Sequence, residues 1–303
     1  MNYPKVSIII LTWNNYKDTK ICLESLLKKE NYPHKEIVVI DNDSNDNSFQ
    51  KLQEEFSQCV FMRNNKNLGF AAGNNPGIKY ALKNGSDYIF ILNNDTVFTE
   101  PVLSKLIKIS EQNKTIGIAA PKLLNNDQSV QQSIVPIKTP ANFLLWLFRL
   151  TRNPDLNKIS GNLIFNNYYI SGAAMLIKKG VIRKLGVFDE RFFFYSEDMD
   201  FSYRAVKSGF NLAYIPDLKI IHKHGQSSTR EKALVQLYRA NFQFLYKYWN
   251  SVLINSIKPA VSVTVFIRFL KNGAEFLLTR KETKRIYAKS LWKICFKVWV
   301  FKN

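Results

Sequence analysis

The tripeptide Asn93-Asn94-Asp95 places two amides and a carboxylate directly after the short apolar run Tyr88–Leu92. Such a run is typical of a strand that is buried on both faces of a parallel sheet. Polar groups at its end would face the crevice at the carboxyl edge, where open α/β sheets bind ligands. Oxygen ligands at this place could hold a hard cation that bridges two phosphates. An ordinary Asn/Asp turn is the alternative explanation for this stretch alone.

Polar clusters also follow three earlier apolar segments. In a parallel sheet the strand ends lie along one edge, so residues that are far apart in sequence converge there. A single turn does not explain why polar residues recur at the same position relative to each strand. The four clusters are Thr12/Asn14, Asp41/Asp43, Asn67/Gly69/Asn75 and Asn93/Asp95.

Strands and helices that alternate along the first 95 residues predict these strand ends. This alternation is typical of βαβ units with right-handed crossovers and a parallel sheet. Apolar residues at helical spacing predict a first helix over Asp18–Lys29, with Asp18 or Thr19 as its N-cap. The predicted strands are Val6–Leu11, Glu36–Ile40, Cys59–Met62 and the run that ends at Leu92.

The pattern is less regular in the second half of the chain. No element is assigned over Leu123–Ile164, and a loop or lid of this size is usually functional or mobile. Single strands are predicted over Tyr168–Lys178 and Leu212–Pro216. We expect one α/β domain over residues 1–228 and a basic amphipathic helical extension over residues 229–303.

Composition and charge limit the classes of protein. The 303-residue chain is 46% hydrophobic, which excludes a disordered polypeptide. Its net charge of +19 predicts an anionic partner. From His224 onward, fifteen Lys and Arg residues stand against three Glu residues, so +12 of that charge lies in the extension. The three cysteines form no C-x-x-C pair, which favours a reducing compartment over a disulfide framework or zinc site.

The extension predicts a membrane surface as one partner. Arg230–Tyr248 and Ser262–Phe301 are predicted helices that interleave basic and aromatic residues, so they could lie on an anionic leaflet with Trp292 and Trp299 at the interface. The alternative is a helical extension that packs on the domain with a solvated basic face. The interrupted stretch Val252–Leu270 is a poor transmembrane span, and no signal peptide opens the chain. We expect a cytoplasmic protein at the inner face of the cell membrane.

Several binding motifs are absent from the sequence. No G-x-G-x-x-G follows the first strand and no P-loop exists, which disfavours the common dinucleotide and P-loop folds. Asp41-x-Asp43-x-Asn45 resembles the start of a calcium loop, but Asp46 at position six and Leu52 at position twelve exclude that interpretation. Charge alone would allow a nucleic-acid-binding protein, but no nucleic-acid motif supports it. We therefore expect no nucleic-acid partner.

Together these segments resemble the family 2 glycosyltransferases, in particular bacterial rhamnosyltransferase-like members with the GT-A fold. The resemblance covers roughly residues 4–228. It implies a mostly parallel central sheet flanked by helices. It also implies an inverting, metal-dependent transfer of a sugar from a nucleoside diphosphate to a hydroxyl of a glycan or lipid-linked glycan acceptor. The segments that carry the resemblance are Val6–Asn14, Val38–Ser48, Asn67–Asn75, Asn93–Asp95, Glu197–Asp198 and His222–Ser227.

The resemblance assigns residues to the nucleotide-sugar donor. Asp41 would contact the base, and the loop from Asn67 to Asn75 would approach the ribose and diphosphate. The implied nucleotide-sugar-binding residues are Thr12, Asn14, Asp41, Asn67, Gly69, Asn75, Asn93 and Asn94.

The resemblance also implies a divalent cation, Mn²⁺ or Mg²⁺. Asp95 matches the last position of the family's D-x-D metal motif, whereas Asn93 replaces the first acid and removes one ligand charge. His222 matches the position of a metal-binding histidine and would be the second ligand. An imidazole ligand suits Mn²⁺ better than Mg²⁺. His224 is a weaker candidate that fits a solvent-facing loop residue.

The acidic pair Glu197-Asp198 is the implied catalytic pair. Inversion by direct displacement needs a base that takes the hydroxyl proton of the acceptor, and a carboxylate with a reference pKa of about 3.9 is ionised at pH 7. The second acid of the pair, Asp198, would be that base. A charged helix N-cap is the structural alternative. Asp200 and Arg204 are spaced to pair on one helix face.

Two further functional classes remain beside an inverting transferase of bacterial surface polysaccharide assembly, for which rhamnose is one candidate sugar. A non-catalytic nucleotide- or glycan-binding protein could keep the same scaffold, although the intact Glu197-Asp198 pair argues against it. A basic nucleic-acid-binding protein is the third class, and steeply salt-dependent binding would identify it.

Overall fold

The chain folds into two compact units. The computed structural model describes residues 3–223 and 230–301. The predicted domain boundary between residues 228 and 229 therefore lies outside the described residues. The sheet unit comprises Met1–Val135, Asn153–Phe193 and Glu197–Gly225, and the helical unit comprises Pro136–Arg152, Phe194–Ser196 and Gln226–Asn303.

A nine-stranded sheet forms the centre of the sheet unit. Its strands are β1 (Val6–Thr12), β2 (Lys35–Asp41), β3 (Val60–Arg63), β4 (Tyr88–Asn93), β5 (Thr96–Phe98), β6 (Ile116–Leu124), β8 (Leu163–Phe165), β10 (Ala174–Lys178) and β11 (Asn211–His222). The strand order is β3-β2-β1-β4-β10-β6-β11-β5, with β8 also paired to β11. The short strands β7 (Ile134–Pro136) and β9 (Tyr168–Ile170) form a separate pair.

The sheet is mostly parallel, as predicted. Strands β3, β2, β1 and β4 run parallel to one another, and β6 and β11 run in the same direction. Strands β10, β5 and β8 run in the opposite direction. Val6, Ile8, Ile9 and Ile10 of β1 are fully buried, because helices cover both faces of a parallel strand.

Six helices pack in the described part of the sheet unit. The first begins after Asn15, whose side chain accepts a hydrogen bond from the Asp18 backbone N–H. The prediction of Asp18 or Thr19 as the N-cap was therefore wrong. The helices are α1 (Tyr16–Lys29), α2 (Ser48–Glu55), α3 (Gly69–Lys83), α4 (Leu103–Gln112), α6 (Lys179–Leu185) and α7 (Glu197–Lys207).

Two strand predictions needed correction, and one unassigned stretch contains regular structure. The predicted strand Tyr168–Lys178 is two strands in different sheets, because β9 pairs with β7 whereas β10 pairs with β4 and β6. The predicted strand Leu212–Pro216 continues to His222, since β5 pairs with its last three residues. The unassigned stretch Leu123–Ile164 contains the end of β6, β7, a helix and the start of β8.

The helical unit has its own apolar core. Aromatic rings of Phe143, Tyr238 and Phe242 are buried in it together with aliphatic side chains. The buried Lys258 ammonium donates to the Phe301 carbonyl oxygen at 3.1 Å and lies against two aromatic rings. The helices are α5 (Pro140–Leu147), α8 (Arg230–Tyr248), α9 (Ser251–Thr279) and α10 (Glu282–Lys297), followed by a 3₁₀ turn at Val298–Val300.

Helix α9 begins eleven residues before the helix predicted from Ser262 and contains Val252–Leu270. By length and composition alone, this helix could cross a membrane, and 33% of its most apolar window is buried in the fold.

Candidate active site

The sheet register brings the predicted strand ends together. Thr12 at the end of β1 is directly opposite Asp41 at the end of β2. Leu11 is opposite Asn93 at the end of β4. The first, second and fourth polar clusters therefore lie side by side at one edge of the sheet, as expected for parallel strands.

Asp41 is fully buried at this edge. Its Oδ2 accepts the Ser44 backbone N–H at 3.0 Å and lies 3.3 Å from the Arg63 guanidinium. Its Oδ1 has no hydrogen-bond partner among residues 3–223 and 230–301. A buried oxygen left unpaired costs about 1–3 kcal/mol, so this atom is suited to accept a donor from a ligand.

Asn14 joins the loops after β1 and β2. Its Oδ1 accepts the Asn45 backbone N–H at 2.7 Å, and its own N–H donates to the Ser44 hydroxyl at 2.8 Å. Its φ of +49° puts this backbone in the left-handed region that asparagine tolerates better than most residues. Asn14 therefore shapes the edge of the cleft beside Asp41.

Thr12 and Asn94 bond to each other inside the protein. The Asn94 amide donates to the hydroxyls of Thr12 and Thr19, at 3.3 and 2.9 Å. Thr12 is only 2% exposed. These two side chains, which were predicted to bind the nucleotide-sugar donor, hold the turn between β4 and β5 in place.

The Asn67–Asn75 loop is held by a residue that the sequence did not single out. Asn42, directly after β2, donates to Asn67 Oδ1 at 3.0 Å and to the Gly69 carbonyl at 3.1 Å. Its own Oδ1 accepts from Asn64 and from the Leu68 backbone. A buried asparagine that uses both ends of its amide fixes a loop strongly, and the Asp-Asn-Asp sequence gave no signal to separate it from its neighbours.

Gly69 and Asn75 face the segment before α7. A Cβ at Gly69 would lie 2.1 Å from the Phe193 carbonyl oxygen, and its φ of +75° is one that glycine adopts readily. The Asn75 amide bonds the Phe188 backbone in both directions and donates to Glu190 at 2.9 Å. As placed here, both residues position the chain that leads to Glu197, and Asn75 has its amide committed away from the strand ends.

Asp95 and His222 meet at the end of β4. Asp95 Oδ1 lies 3.2 Å from His222 Nε2, yet this buried oxygen makes no hydrogen bond within the part of the chain that the structure describes. The Asn93 amide lies 3.1 Å from the same nitrogen. The opposite ring nitrogen, Nδ1, lies 2.7 Å from Gln131 Oε1. The sequence gave no reason to select Gln131.

This pair fits a divalent cation. Two ligand atoms on adjacent vertices of an octahedron with bonds of about 2.1 Å are about 3 Å apart, close to the observed separation. Asp95 and His222 supply one oxygen and one nitrogen, and no cluster of three His, Cys, Asp or Glu residues suited to a metal occurs within the described ranges. A cation here would complete its shell with substrate phosphates and water, as Mg²⁺ commonly does. His224 lies outside the described residues.

The acidic pair begins helix α7. The half-buried Asp198 accepts the Gly172 backbone N–H at 3.1 Å through Oδ2 and the Met199 N–H at 2.8 Å through Oδ1. Glu197 is buried, and its Oε2 has no partner in residues 3–223 or 230–301. Burial, reinforced by the neighbouring Asp198 charge, raises the pKa of Glu197 well above its ordinary value. Asp198 is thus the more accessible acid of the pair.

The predicted Asp200–Arg204 pair is present and structural. Arg204 Nε donates to the fully buried Asp200 Oδ2 at 2.8 Å. Its two terminal nitrogens donate to the carbonyl oxygens of Leu185 and Val187. The pair therefore ties α7 to the chain after α6.

Two adjacent residues connect the Glu197-Asp198 pair to the strand end that carries Asp95. The Gly172 N–H bonds Asp198, and the carbonyl of the next residue, Ala173, accepts the Asn93 N–H at 3.0 Å. Adjacent Cα atoms are about 3.8 Å apart, so the Asp198 carboxylate and the end of β4 are held to one short segment. This segment is the part of the predicted strand Tyr168–Lys178 that joins β9 to β10.

The architecture is that of the GT-A fold, with a mostly parallel central sheet and flanking helices. The structure is similar to the mannosyltransferase PcManGT from Pyrobaculum calidifontis in complex with GDP-Man and Mn²⁺, with a TM-score of 0.62 and 15% identity over 100% of this chain and 89% of that one.

The family follows from the sequence comparison. Residues 7–186 match the model of glycosyl transferase family 2, and the chain belongs to that family. It is 27% identical over 265 residues to the low-salt glycan biosynthesis hexosyltransferase Agl10 of Haloferax volcanii, covering 86% of this chain and 81% of the relative. It is 26% identical to the dTDP-rhamnosyl transferase RfbF of Shigella flexneri over 89% of this chain and 90% of that protein. The resemblance to rhamnosyltransferase-like members of the family is confirmed.

Proposed function

We propose that the chain is an inverting glycosyltransferase that transfers a sugar from a nucleoside diphosphate to a hydroxyl of a glycan or lipid-linked glycan acceptor. The observation that carries the proposal is the segment Gly172-Ala173, which bonds both Asp198 and the strand that ends in Asn93. Such an arrangement holds a candidate base and a candidate diphosphate site at a fixed separation, which direct displacement requires.

The nucleotide part of the donor would bind beside Asp41. Its unpaired Oδ1 can accept an N–H from a base, while Arg63 and the Ser44 N–H hold the carboxylate in place. Asn14 forms the adjoining edge of the cleft. The other implied donor-binding residues would act indirectly: Thr12 and Asn94 hold the turn between β4 and β5, Asn67 is bonded by Asn42, and Gly69 and Asn75 position the chain that leads to Glu197.

Asp95 and His222 would hold a divalent cation at the diphosphate, with Asn93 beside them. His222 Nε2 would then give up its hydrogen bond from Asn93. Such a cation, when bound, stabilises the negative charge of the departing diphosphate as a Lewis acid. The imidazole ligand favours Mn²⁺ over Mg²⁺.

Asp198 would act as the base, with Glu197 as its buried neighbour. The acceptor oxygen forms a bond to the anomeric carbon as the bond from that carbon to the diphosphate oxygen breaks, and the hydroxyl proton passes to Asp198. Attack from the face opposite the leaving group inverts the anomeric carbon. Two backbone N–H groups donate to the Asp198 carboxylate and fix its direction.

Similarity to the rhamnosyl transferase of Shigella and to the glycan hexosyltransferase of Haloferax supports a role in surface polysaccharide biosynthesis, with rhamnose as the first donor sugar to test.

The helical unit would contact an anionic membrane from the cytoplasmic side, where lipid-linked acceptors are accessible. Among the large apolar side chains exposed in the described ranges, fifteen of nineteen belong to this unit, among them Phe296, Trp299 and Leu278. The excess of Lys and Arg from His224 onward adds attraction to acidic lipids. Apolar side chains combined with basic charge are typical of interfacial helices.

A panel of nucleotide sugars tests the proposed activity. The protein is incubated with each donor and Mn²⁺ or Mg²⁺, and thermal stabilisation and donor hydrolysis are measured. We expect stabilisation and slow hydrolysis with one or two donors, dTDP-rhamnose among the first. Tight binding of a donor without hydrolysis or transfer to any acceptor would instead identify a non-catalytic binding protein.

Vesicles test the membrane contact. The protein should sediment with phosphatidylglycerol vesicles much more than with phosphatidylcholine vesicles, and Trp292→Ala with Phe296→Ala should reduce that binding. Equal recovery in the supernatant with both lipids would favour a helical extension with a merely solvated basic face.

A further inference from the structure

Gln131 lies between β6 and β7 and makes three hydrogen bonds around His222. Its side chain is 7% exposed. Its Oε1 is 2.7 Å from His222 Nδ1. Its Nε2 donates to Asn125 Oδ1 at 3.0 Å and to the backbone carbonyl of His222 itself at 3.3 Å. One glutamine therefore bonds both the ring and the backbone of the same histidine.

The His222 carbonyl fixes which end of the Gln131 amide faces which group. A backbone carbonyl only accepts hydrogen bonds, so the NH₂ group of Gln131 must face it. The amide oxygen is then left to face His222 Nδ1. Turning the amide over would place Oε1 against two acceptor oxygens and lose both donor bonds.

The orientation of the amide sets the tautomer of the neutral imidazole. Because Oε1 can only accept, Nδ1 must carry the hydrogen, and Nε2 is then left with its lone pair. Nε2 is the atom that lies 3.2 Å from Asp95 Oδ1. A lone pair, and not an N–H, is what a metal ligand must present.

We infer that Gln131 is a positioning residue that holds His222 in the Nδ1–H tautomer and directs Nε2 toward Asp95. The inference rests on the proposed function, in which Asp95 and His222 bind a divalent cation. The Gln131 amide is bonded to His222 and Asn125, so its effect on the cation would be indirect. Its contribution is to make the ring ready for the cation, so that no rotation or tautomer change has to accompany binding.

The tautomer can be measured without metal or activity. In ¹⁵N-histidine-labelled protein at pH 8 with chelator present, long-range ¹H–¹⁵N correlation spectra distinguish Nδ1–H from Nε2–H rings. His222→Gln assigns the signal among the three histidines. We expect a single Nδ1–H form in the wild type and a mixture or the Nε2–H form in Gln131→Leu.

Metal affinity is the second measurement. Free Mn²⁺ is followed by electron paramagnetic resonance during titration of each protein, with pyrophosphate present as a minimal diphosphate. Gln131→Leu should bind Mn²⁺ about 10- to 100-fold more weakly, the usual cost of losing an outer hydrogen bond to a ligand. Gln131→Glu keeps an acceptor at Nδ1 and should retain the Nδ1–H form, but with lower stability, because its second oxygen faces the Asn125 and His222 oxygens that accept from Gln131. Gln132→Leu, the same change at the exposed neighbouring glutamine, is the matched control and should behave as wild type.

Two results would overturn the inference. One is an Nε2–H ring in the wild type, and the other is a Gln131→Leu protein that keeps both the wild-type tautomer and the wild-type Mn²⁺ affinity. Failure of the wild type to bind Mn²⁺ would contradict the proposed cation site instead. A tautomer change in Gln131→Leu would then still support the positioning role.

Discussion

The two residue pairs of the candidate site, Asp95 with His222 and Glu197 with Asp198, are built in opposite ways. Asp95 and His222 stand at the ends of neighbouring antiparallel strands, β5 and β11, where Thr96 is opposite His222 in the register. Glu197 and Asp198 stand at the start of a helix and follow two residues, Tyr195 and Ser196, with φ of +71° and +67°. The first group takes its geometry from sheet pairing, whereas the second takes it from a turn in a sparsely populated conformation.

This difference suggests which properties each group supplies. A ligand pair on paired strands is rigid, and a fixed separation suits an ion with firm geometric demands. A carboxylate after a strained turn is held only as well as the surrounding bonds hold it, and such strain is common at active sites. Asp198 has a backbone N–H from Gly172 to hold it, while Glu197 has a buried oxygen without a described partner.

Asp198→Asn should produce the largest effect on transfer. The amide keeps the size of the side chain but cannot take the hydroxyl proton, so the turnover rate should fall by about 10²- to 10⁴-fold. Donor binding should persist, because the strand-end cluster is unchanged. Turnover and donor affinity are measured by product formation and calorimetry, with Asp217→Asn, an exposed acid paired with Lys105, as control. Undiminished turnover would remove Asp198 from the role of base.

His222→Ala should weaken Mn²⁺ binding by the other pair, Asp95 and His222. Loss of the imidazole leaves Asp95 as the one protein ligand of the proposed pair, so Mn²⁺ affinity should fall by at least the 10- to 100-fold seen for outer contacts. Chelation should abolish turnover of the wild type. His34→Ala, at an exposed histidine bonded to the Tyr3 carbonyl, is the control. Turnover that is independent of metal in the wild type would refute the cation site.

Glu197→Gln should change how stability depends on pH. Burial and the Asp198 charge raise the pKa of Glu197, so the folded protein keeps a proton that the unfolded chain releases. The stability from this group is full below the unfolded pKa of about 4.3 and falls as pH rises toward the folded pKa, by about 1.4 kcal/mol per pH unit.

The glutamine variant has no such titration, so its stability should fall less than that of the wild type between pH 4 and 8. Urea unfolding at several pH values measures the difference. Equal slopes for the two proteins would show that Glu197 is ionised in the folded state.

The sequence predicted the strand ends well because their signal is local. An apolar run followed by Asn or Asp identifies the end of a buried strand, and parallel register then brings Thr12, Asp41 and Asn93 together. The pairing of Asp200 with Arg204 followed from helical spacing alone in the same way. Both predictions depend on residues that are close in sequence or on one repeated geometric rule.

The residues that the sequence missed act over long range. Gln131 reaches His222 across 91 positions, and Asn42 reaches the Asn67 loop across 25. A glutamine in a polar stretch carries no local sign of such a partner. The side chain of Asn75 was assigned to the donor by resemblance, yet it bonds Phe188 and Glu190, over 100 residues away. Side-chain direction in a crowded loop depends on tertiary neighbours that spacing does not reveal.

Ser196→Gly should have the smallest effect, which is a change in the free energy of unfolding that comes from the turn before Asp198. A non-glycine residue in the left-handed region costs about 1–2 kcal/mol, and glycine removes that cost at φ of +67°. The lost hydroxyl bond to Asn241, at 3.4 Å, is long and weak, and greater freedom of the unfolded chain offsets part of the gain. We therefore expect the unfolding free energy to rise by about 0.5–1 kcal/mol.

The same change should leave Mn²⁺ affinity untouched, because Ser196 lies on the base side alone. Ser196→Val, with a branched side chain at this φ, should lower stability and serves as the opposite control. Stability is read from urea unfolding and cation binding from Mn²⁺ titration. If Ser196→Gly weakened Mn²⁺ binding, the two pairs of residues would be mechanically coupled through Gly172-Ala173. The contrast between a sheet-built pair and a turn-built pair would then not hold.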